Sequence, residues 1–168
     1  MKIDCITLFP EMFAPLEHSI IGRARKNSLI DFKTIFLRDF AINDYGQVDD
    51  APYGGEPGMV LRPEPLAQAI RSTGVRDNKG TVIYLTADGQ PLTHQIAKEL
   101  SKKEHLVLVC GHYKGIDERI RETEIDMEIS IGDFVVSGGE LPAMVLTDAV
   151  GRLLEGALGN KESGETDS

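Results

Sequence analysis

Two glycine-rich segments contain the residues whose types and spacing could bind a ligand. The first, Gly111-His112-Tyr113-Lys114-Gly115, directly follows the apolar run Leu106–Cys110. Glycine lets the backbone come close to a ligand, and the residues between the two glycines offer amides and an aromatic face. An ordinary strand-to-helix turn capped by Asp117 has the same pattern, because acidic residues are favoured at helix N-termini.

The second segment, Glu128–Pro142, interleaves glycines with β-branched residues and ends on a proline suited to the start of a helix. Such a segment could surround an adenine with apolar walls and backbone amides. The sequence contains no GxGxxG or GxxxxGK[ST] motif and no recognisable Ser-His-Asp or Cys-His arrangement. Dinucleotide and P-loop chemistry are therefore not indicated.

The composition limits the class of protein. The 168 residues fit one domain, and 41% hydrophobic with 27% charged residues is typical of globular proteins. We expect a cytoplasmic location and no membrane contact, since no apolar run could cross a bilayer and the N-terminus lacks a secretory signal. Cys5 and Cys110 lie in apolar runs and are predicted to be core thiols. The histidines lack metal-ligand spacing, so no metal is expected.

The formal net charge of -9 argues against a general nucleic-acid binder, because neutralising phosphates requires clustered Lys and Arg. An RNA substrate would require basic residues gathered on one face or charge from another segment. The candidates for such a face are Arg23, Arg25, Lys26, Arg38 and Arg62.

Strand-like and helical patterns alternate along the chain. Strands are predicted at Lys2–Leu8, Asp31–Phe36, Thr81–Leu85 and Leu106–Cys110, and helices at Met12–Asn27, Pro63–Ser72, after an N-cap at Thr93, and at Leu141–Leu154 before Gly156. Asn43–Gly58 is predicted to be a long loop without regular structure. This order predicts an α/β fold with a mostly parallel sheet flanked by helices.

Ligands of such sheets bind beyond the carboxyl ends of the strands. The sequence places glycine-containing turns at three strand ends, namely Ala87–Gly89, Gly111–Gly115 and Gly132. We expect these three turns to meet at one site. The apolar stripe of Leu141–Leu154 needs a cover, which could be the core or a two-fold dimer interface.

Several motifs in order along the whole chain carry a family resemblance. They are Leu8–Phe13, Val48–Gly55, Pro57–Val60, Gly111–Tyr113, Gly115–Arg119 and Ile129–Met144. Together they resemble bacterial tRNA (guanine-37-N1)-methyltransferases. The resemblance implies a SPOUT-type fold with a C-terminal trefoil knot, which periodicity alone would not suggest. It also implies methyl transfer from S-adenosylmethionine to N1 of guanosine 37 in tRNA.

The resemblance further implies the site residues. The donor pocket would comprise Tyr84, Leu85, Thr86, Gly111, Tyr113, Gly115, Ser130, Ile131, Gly132, Asp133, Phe134, Val135, Val136, Gly138, Gly139 and Pro142. Asp167 matches the family's proposed base, and Arg152 matches the arginine thought to bind guanine O6. The two come from different subunits, so the resemblance implies a homodimer. Without it, Asp167 is most simply a solvated charge and Arg152 a helix-terminal cation.

Two positions depart from the family pattern. Glu56 stands where a third glycine is usual, and Lys114 replaces a glutamate beside the donor pocket. The family also continues into a helical tRNA-binding domain. We therefore expect residues 1–159 to form the catalytic domain and 160–168 to begin a linker. A chain of this extent should bind donor and dimerise but transfer methyl groups weakly or not at all.

Three other functions stay open at this point. A methyltransferase of the same superfamily could act on another RNA, and mapping the methylated atom would separate it. A non-catalytic donor-binding or dimeric interaction module would bind S-adenosylmethionine without transfer that depends on Asp167. A generic nucleotide-binding α/β protein is supported by the glycine turns alone.

Overall fold

The computed structural model describes residues 1–52, 54 and 57–158. The strands are β1 (Lys2–Thr7), β2 (Asp31–Phe36), β3 (Asp49–Asp50), β4 (Val60–Leu61), β5 (Thr81–Pro91), β6 (His105–Cys110) and β7 (Met127–Ser130). The α-helices are α1 (Ser19–Lys26), α2 (Pro63–Ser72), α3 (His94–Leu100), α4 (Glu118–Glu124) and α5 (Glu140–Gly151). Short 3-10 helices cover Pro10–Glu17 and Leu37–Phe40.

Five strands form one sheet in the order β2-β1-β6-β5-β7, and every neighbouring pair is parallel. The predicted α/β class with a mostly parallel sheet is confirmed. All six residues of the central strand β6 are buried, as a strand covered on both faces requires. The carboxyl ends of β5, β6 and β7 therefore share one edge of the sheet.

Helices cover both faces of this sheet, so the strands β1, β5 and β6 contribute side chains to two cores. On one face, Cys5 and Leu108 pack with side chains from α1, α3 and α5, including Leu146. On the other, Val107 and Val109 pack with side chains from α2 and α4. This alternation explains why the buried strands have few polar positions.

The helix predicted over Met12–Asn27 is wrong as one element, because the chain breaks near its middle. Pro15 lies inside a 3-10 helix, and its missing N–H removes a donor that an α-helix would use. His18 is extended, and Ser19, the first residue of α1, has a φ of 55° in the left-handed region. The apolar spacing survives the break because both segments turn Phe13, Leu16 and Ile21 towards the same core.

Three other predicted boundaries need correction. Ala87–Gly89 is not a turn after β5 but an irregularity inside it, where the pairing with β7 shifts between Leu85 and Gln90. Asn43–Gly58 is not free of regular structure, because β3 pairs with β4 there. The last helix ends at Gly151, earlier than Leu154 and well before Gly156.

Local predictions of caps and core thiols are confirmed. Thr93 accepts a hydrogen bond from the Ile96 N–H, and Asp117 accepts one from the Arg119 N–H. Cys5 and Cys110 are buried free thiols with their sulfur atoms 3.5 Å apart. In the described part of the chain, no helix is long and apolar enough to cross a membrane.

Candidate active site

A cleft of about 310 Å³ lies beyond the carboxyl ends of β6 and β7, and β5 passes along one of its walls. The predicted residues that line it are Tyr84, Leu85, Thr86, Gly111, Tyr113, Gly115, Ser130, Ile131, Phe134, Val135, Val136, Gly138, Gly139 and Pro142. The structure thus brings together part of β5 and the segments at the ends of β6 and β7. Gly132 and Asp133 are not among the lining residues.

Sequence reasoning missed five further lining residues, Ala87, His112, Lys114, Ile129 and Ser137. All five lie within or directly beside the segments already chosen, so only their orientation towards the cleft was unpredictable. The predicted turn at Ala87–Gly89 is wrong, yet Ala87 still reaches the cleft because β5 passes along its wall.

Glycines make the walls of the cleft fit together. A Cβ on Gly111 would lie 2.8 Å from Cε2 of Tyr84, and one on Gly139 would lie 2.5 Å from Cα of Cys110. The Gly139 N–H also donates a hydrogen bond of 2.9 Å to the carbonyl of Gly111. Side chains at these positions would collide with buried neighbours, so the backbone itself forms the cleft wall.

Two tyrosines give the cleft aromatic surface. Tyr84 is buried and has the guanidinium of Arg121 5.8 Å from its ring centre. Burial raises the pKa of Tyr84 above its ordinary value of 10.0, so its hydroxyl stays neutral at physiological pH. Tyr113 is half exposed and has a φ of 61°, a left-handed conformation that turns its ring outward from the Gly111–Gly115 segment.

Comparison with known proteins assigns the family. The family model described as tRNA (Guanine-1)-methyltransferase TrmD matches residues 1–168. The chain belongs to the tRNA (guanine-1)-methyltransferase family.

The individual relatives that this chain resembles are also tRNA methyltransferases. The tRNA (guanine-N(1)-)-methyltransferases of Staphylococcus aureus strains MRSA252 and JH9 are each 53% identical over 169 residues, covering 100% of this chain and 69% of the relative. A crystal structure of tRNA (m1G37) methyltransferase from Aquifex aeolicus superposes with a TM-score of 0.87 at 42% identity, covering 95% of this chain and 72% of that one.

Of the two predicted catalytic residues of this methyltransferase, Arg152 does not line the cleft of its own chain. Arg152 follows α5 and lines a separate pocket with Asp148 and Ala149. Asp167 lies outside the described residues, as do Glu56 and the proposed linker 160–168.

Lys114, where a glutamate was expected from the family pattern, lies among the residues that line the cleft. Its N–H donates a hydrogen bond of 3.0 Å to the carbonyl of Met59. Its stem covers Gly58 so closely that a Cβ there would lie 3.0 Å from Cε of Lys114. Lys114 therefore joins the segment after β6 to the segment before β4.

The described residues contain no cluster of three His, Cys, Asp or Glu side chains that could hold a metal ion. Of the basic residues proposed for an RNA surface, Arg23, Arg25 and Lys26 lie together in the last turn of α1. Arg62 is paired with Asp50 and Glu64, and so contributes less net positive charge to a surface.

A buried carboxylate lies behind the cleft of this methyltransferase. Glu140, the first residue of α5, accepts hydrogen bonds from Thr7 Oγ1 at 2.6 Å and from His112 Nε2 at 2.8 Å. Burial acts to raise the pKa of Glu140, but the hydrogen bonds from His112 and Thr7 outweigh it and hold the pKa below the ordinary value of 4.5. Glu140 is therefore ionised at neutral pH.

The lowered pKa of Glu140 predicts a pH-dependent contribution to stability. Because the folded-state pKa lies below 4.5, the ionised carboxylate stabilises the fold above about pH 4.5, and this contribution is lost as pH falls through the folded pKa. We expect Glu140→Gln to lower the free energy of unfolding by about 1–3 kcal/mol near pH 7 and by less in acid.

Urea denaturation between about pH 3.5 and pH 7 measures this difference. Glu122→Gln is the matched control, because Glu122 is exposed on α4 and should show little effect at any pH. An effect of Glu140→Gln that does not change across this range would contradict the assignment of an ionised, hydrogen-bonded carboxylate.

Proposed function

We propose that this methyltransferase transfers a methyl group from S-adenosylmethionine to N1 of guanosine 37 in tRNA, next to the anticodon. The observation that carries the proposal is the backbone-lined cleft at the ends of β6 and β7, in a chain whose structural neighbour is a tRNA (m1G37) methyltransferase. A tRNA substrate also implies a cytoplasmic location.

The chemistry of the cleft fits the methyl donor. Ile129, Ile131 and Phe134 provide apolar walls for an adenine, while the amides and carbonyls of the glycine segments can bind its polar edge. A Cβ at Gly111 would collide with the Tyr84 ring, and one at Gly139 would collide with the backbone of Cys110 and Gly111. When bound, S-adenosylmethionine supplies an electrophilic methyl group on its sulfonium.

The acceptor guanine must lose its N1 proton as the new N–C bond forms. We assign Asp167 as the group that accepts this proton and Arg152 as the donor to guanine O6, where negative charge develops. Arg152 lines a pocket other than the cleft of its own chain. That placement supports a site in which Arg152 and the donor cleft belong to different subunits of a homodimer.

The apolar face of α5 supports the same assembly. Leu141 and Val145 lie one helical turn apart and are about half exposed, at 49% and 46%. Exposed apolar side chains at this spacing on a helix are typical of a two-fold interface, since both copies bury the same face.

We also propose that the segment after β7 threads through a loop to form the trefoil knot of a SPOUT domain. The support is the contact of Gly138 and Gly139 with the segment after β6, where Gly139 has no space for a side chain. Residues 1–159 would be this catalytic domain, with 160–168 leading to a further tRNA-binding part.

A crystal structure of the chain with S-adenosylhomocysteine tests the donor site and the knot together. We expect the adenosine between Tyr84 and the Gly138–Gly139 segment, with the chain threaded as proposed. An adenosine bound elsewhere, or an unthreaded chain trace, would reject the corresponding assignment.

Replacing the proposed base tests the reaction. We expect Asp167→Asn to lower the rate of methyl transfer to a G37 transcript by about 10²–10⁴-fold, because positioned proton abstraction contributes that much. Single-turnover assays with enzyme in excess measure this rate directly. Nuclease digestion of the product then identifies the methylated atom.

Glu165→Gln, two residues away in the same acidic tail, is the matched control and should retain the wild-type rate. Donor binding without transfer that depends on Asp167 would favour a binding module. A methyl group mapped to ribose or to another base would favour a different RNA methyltransferase.

The dimer is tested at Val145. We expect Val145→Glu to convert a dimer into monomers, because a charge in a buried apolar interface is costly to desolvate. Sedimentation velocity measures the change. Ile42→Glu is the control, since Ile42 is similarly exposed at 44% but lies outside α5. A wild-type chain that sediments as a monomer would reject the shared active site.

A further inference from the structure

A chain of buried hydrogen bonds runs from β1 to the wall of the donor cleft. Thr7 at the end of β1 donates to Glu140, and His112 donates to the same carboxylate from the segment after β6. We propose that Thr7 and Glu140 are positioning residues for donor binding, which act by holding His112 in the cleft wall. The inference rests on the proposed function, because it takes S-adenosylmethionine as the ligand.

Thr7 and Glu140 lie behind the cleft wall and not on its surface. Each is only 1% exposed, and neither is among the residues that line the cleft. His112 does line the cleft, and its Nε2 lies 2.9 Å and 2.8 Å from the two carboxylate oxygens of Glu140. Because a carboxylate only accepts, Nε2 must carry the hydrogen, which fixes the orientation of the ring.

The orientation of the His112 ring determines how two segments of the cleft fit together. A Cβ on Gly138 would lie 2.3 Å from Cε1 of His112, so the ring occupies the space beside that glycine. Gly139, the next residue, donates its N–H to the carbonyl of Gly111, the residue before His112. The side-chain bond and the backbone bond therefore join the same two segments at adjacent positions.

Thr7 also positions the aromatic ring that packs against the His112 imidazole. Its Oγ1 accepts a hydrogen bond of 2.9 Å from the Phe9 N–H. The Phe9 ring in turn packs against His112 with a centroid distance of 5.1 Å. One hydroxyl thus places both the carboxylate that orients His112 and the aromatic ring that packs on it.

These contacts should affect ligand affinity more than an equivalent buried hydroxyl elsewhere. The cleft offers backbone groups to a ligand, and such groups bind more tightly when they are already in place before it arrives. Removing Thr7 Oγ1 leaves Glu140 with one donor fewer and Phe9 N–H without its acceptor. The position of the His112 ring relative to the Gly138–Gly139 segment is then no longer fixed.

Thr7→Val tests the proposal, because valine keeps the shape of threonine and removes the hydroxyl. We expect its dissociation constant for S-adenosylhomocysteine, measured by calorimetry, to rise about tenfold, equivalent to about 1.4 kcal/mol. Thr7→Ser restores the hydroxyl and should bind within about twofold of wild type.

Thr73→Val is a closely matched control. Thr73 is also buried, donates from Oγ1 to the Ile70 carbonyl at 2.6 Å, and accepts the N–H of Val75, two residues later, at 3.1 Å. It lies at the end of α2 and does not line the cleft. We expect it to lose stability comparable to Thr7→Val in thermal unfolding while retaining wild-type affinity.

The outcomes separate this inference from the proposed function. If the wild-type chain does not bind S-adenosylhomocysteine, the proposed function fails first and the inference with it. If the wild type binds and Thr7→Val binds equally well, or Thr73→Val weakens binding as much, the inference alone is overturned. Should Thr7→Val not fold, Glu140→Gln replaces it, with the same expected loss of affinity.

Discussion

The close approach of two backbone segments, one after β6 and one before α5, is the constraint on which the site depends. Gly139 packs against Cys110 at a distance that excludes any side chain, and its N–H donates to Gly111. Parallel strands bring these segments to one edge of the sheet, but only glycine lets their main chains touch. The cleft exists because its walls are held this close.

Buried carboxylates join β1 to its surroundings at both ends. At the amino end, Asp4 accepts from His105 Nε2 at 2.8 Å and from Lys2 Nζ at 2.8 Å. At the carboxyl end, Thr7 reaches Glu140. Because a buried charge is tolerated only when it is paired and hydrogen-bonded, both groups require a defined alignment of their elements. The bond between Asp4 and His105 fixes β1 against β6. The bonds of Glu140 to Thr7 and His112 fix the loops that form the cleft.

Much of the fold could be predicted from the local pattern of apolar residues. The family could be predicted from sequence motifs that occur in the same order along the chain. Apolar runs identified the buried strands, whereas the residues of the cleft walls were implied by the family resemblance. The break at His18 was missed because apolar spacing continues through it and only Pro15 marks the change in helix type. The continuation of β5 past Gly89 was missed because it depends on pairing with β7. The bond between Thr7 and Glu140 spans 133 positions, and no local signal in the sequence encodes it.

A cleft built from main chain has a consequence for inhibition and for escape from it. Hydrogen bonds to backbone amides and carbonyls do not change when a side chain is replaced. At Gly111, Gly138 and Gly139 even a methyl group would collide with Tyr84, His112 or Cys110. A competitive inhibitor that binds these main-chain groups leaves few substitutions that could block it and still allow the chain to fold. Resistance to such a compound should arise in the more tolerant, exposed rim, at Phe134 and Val135.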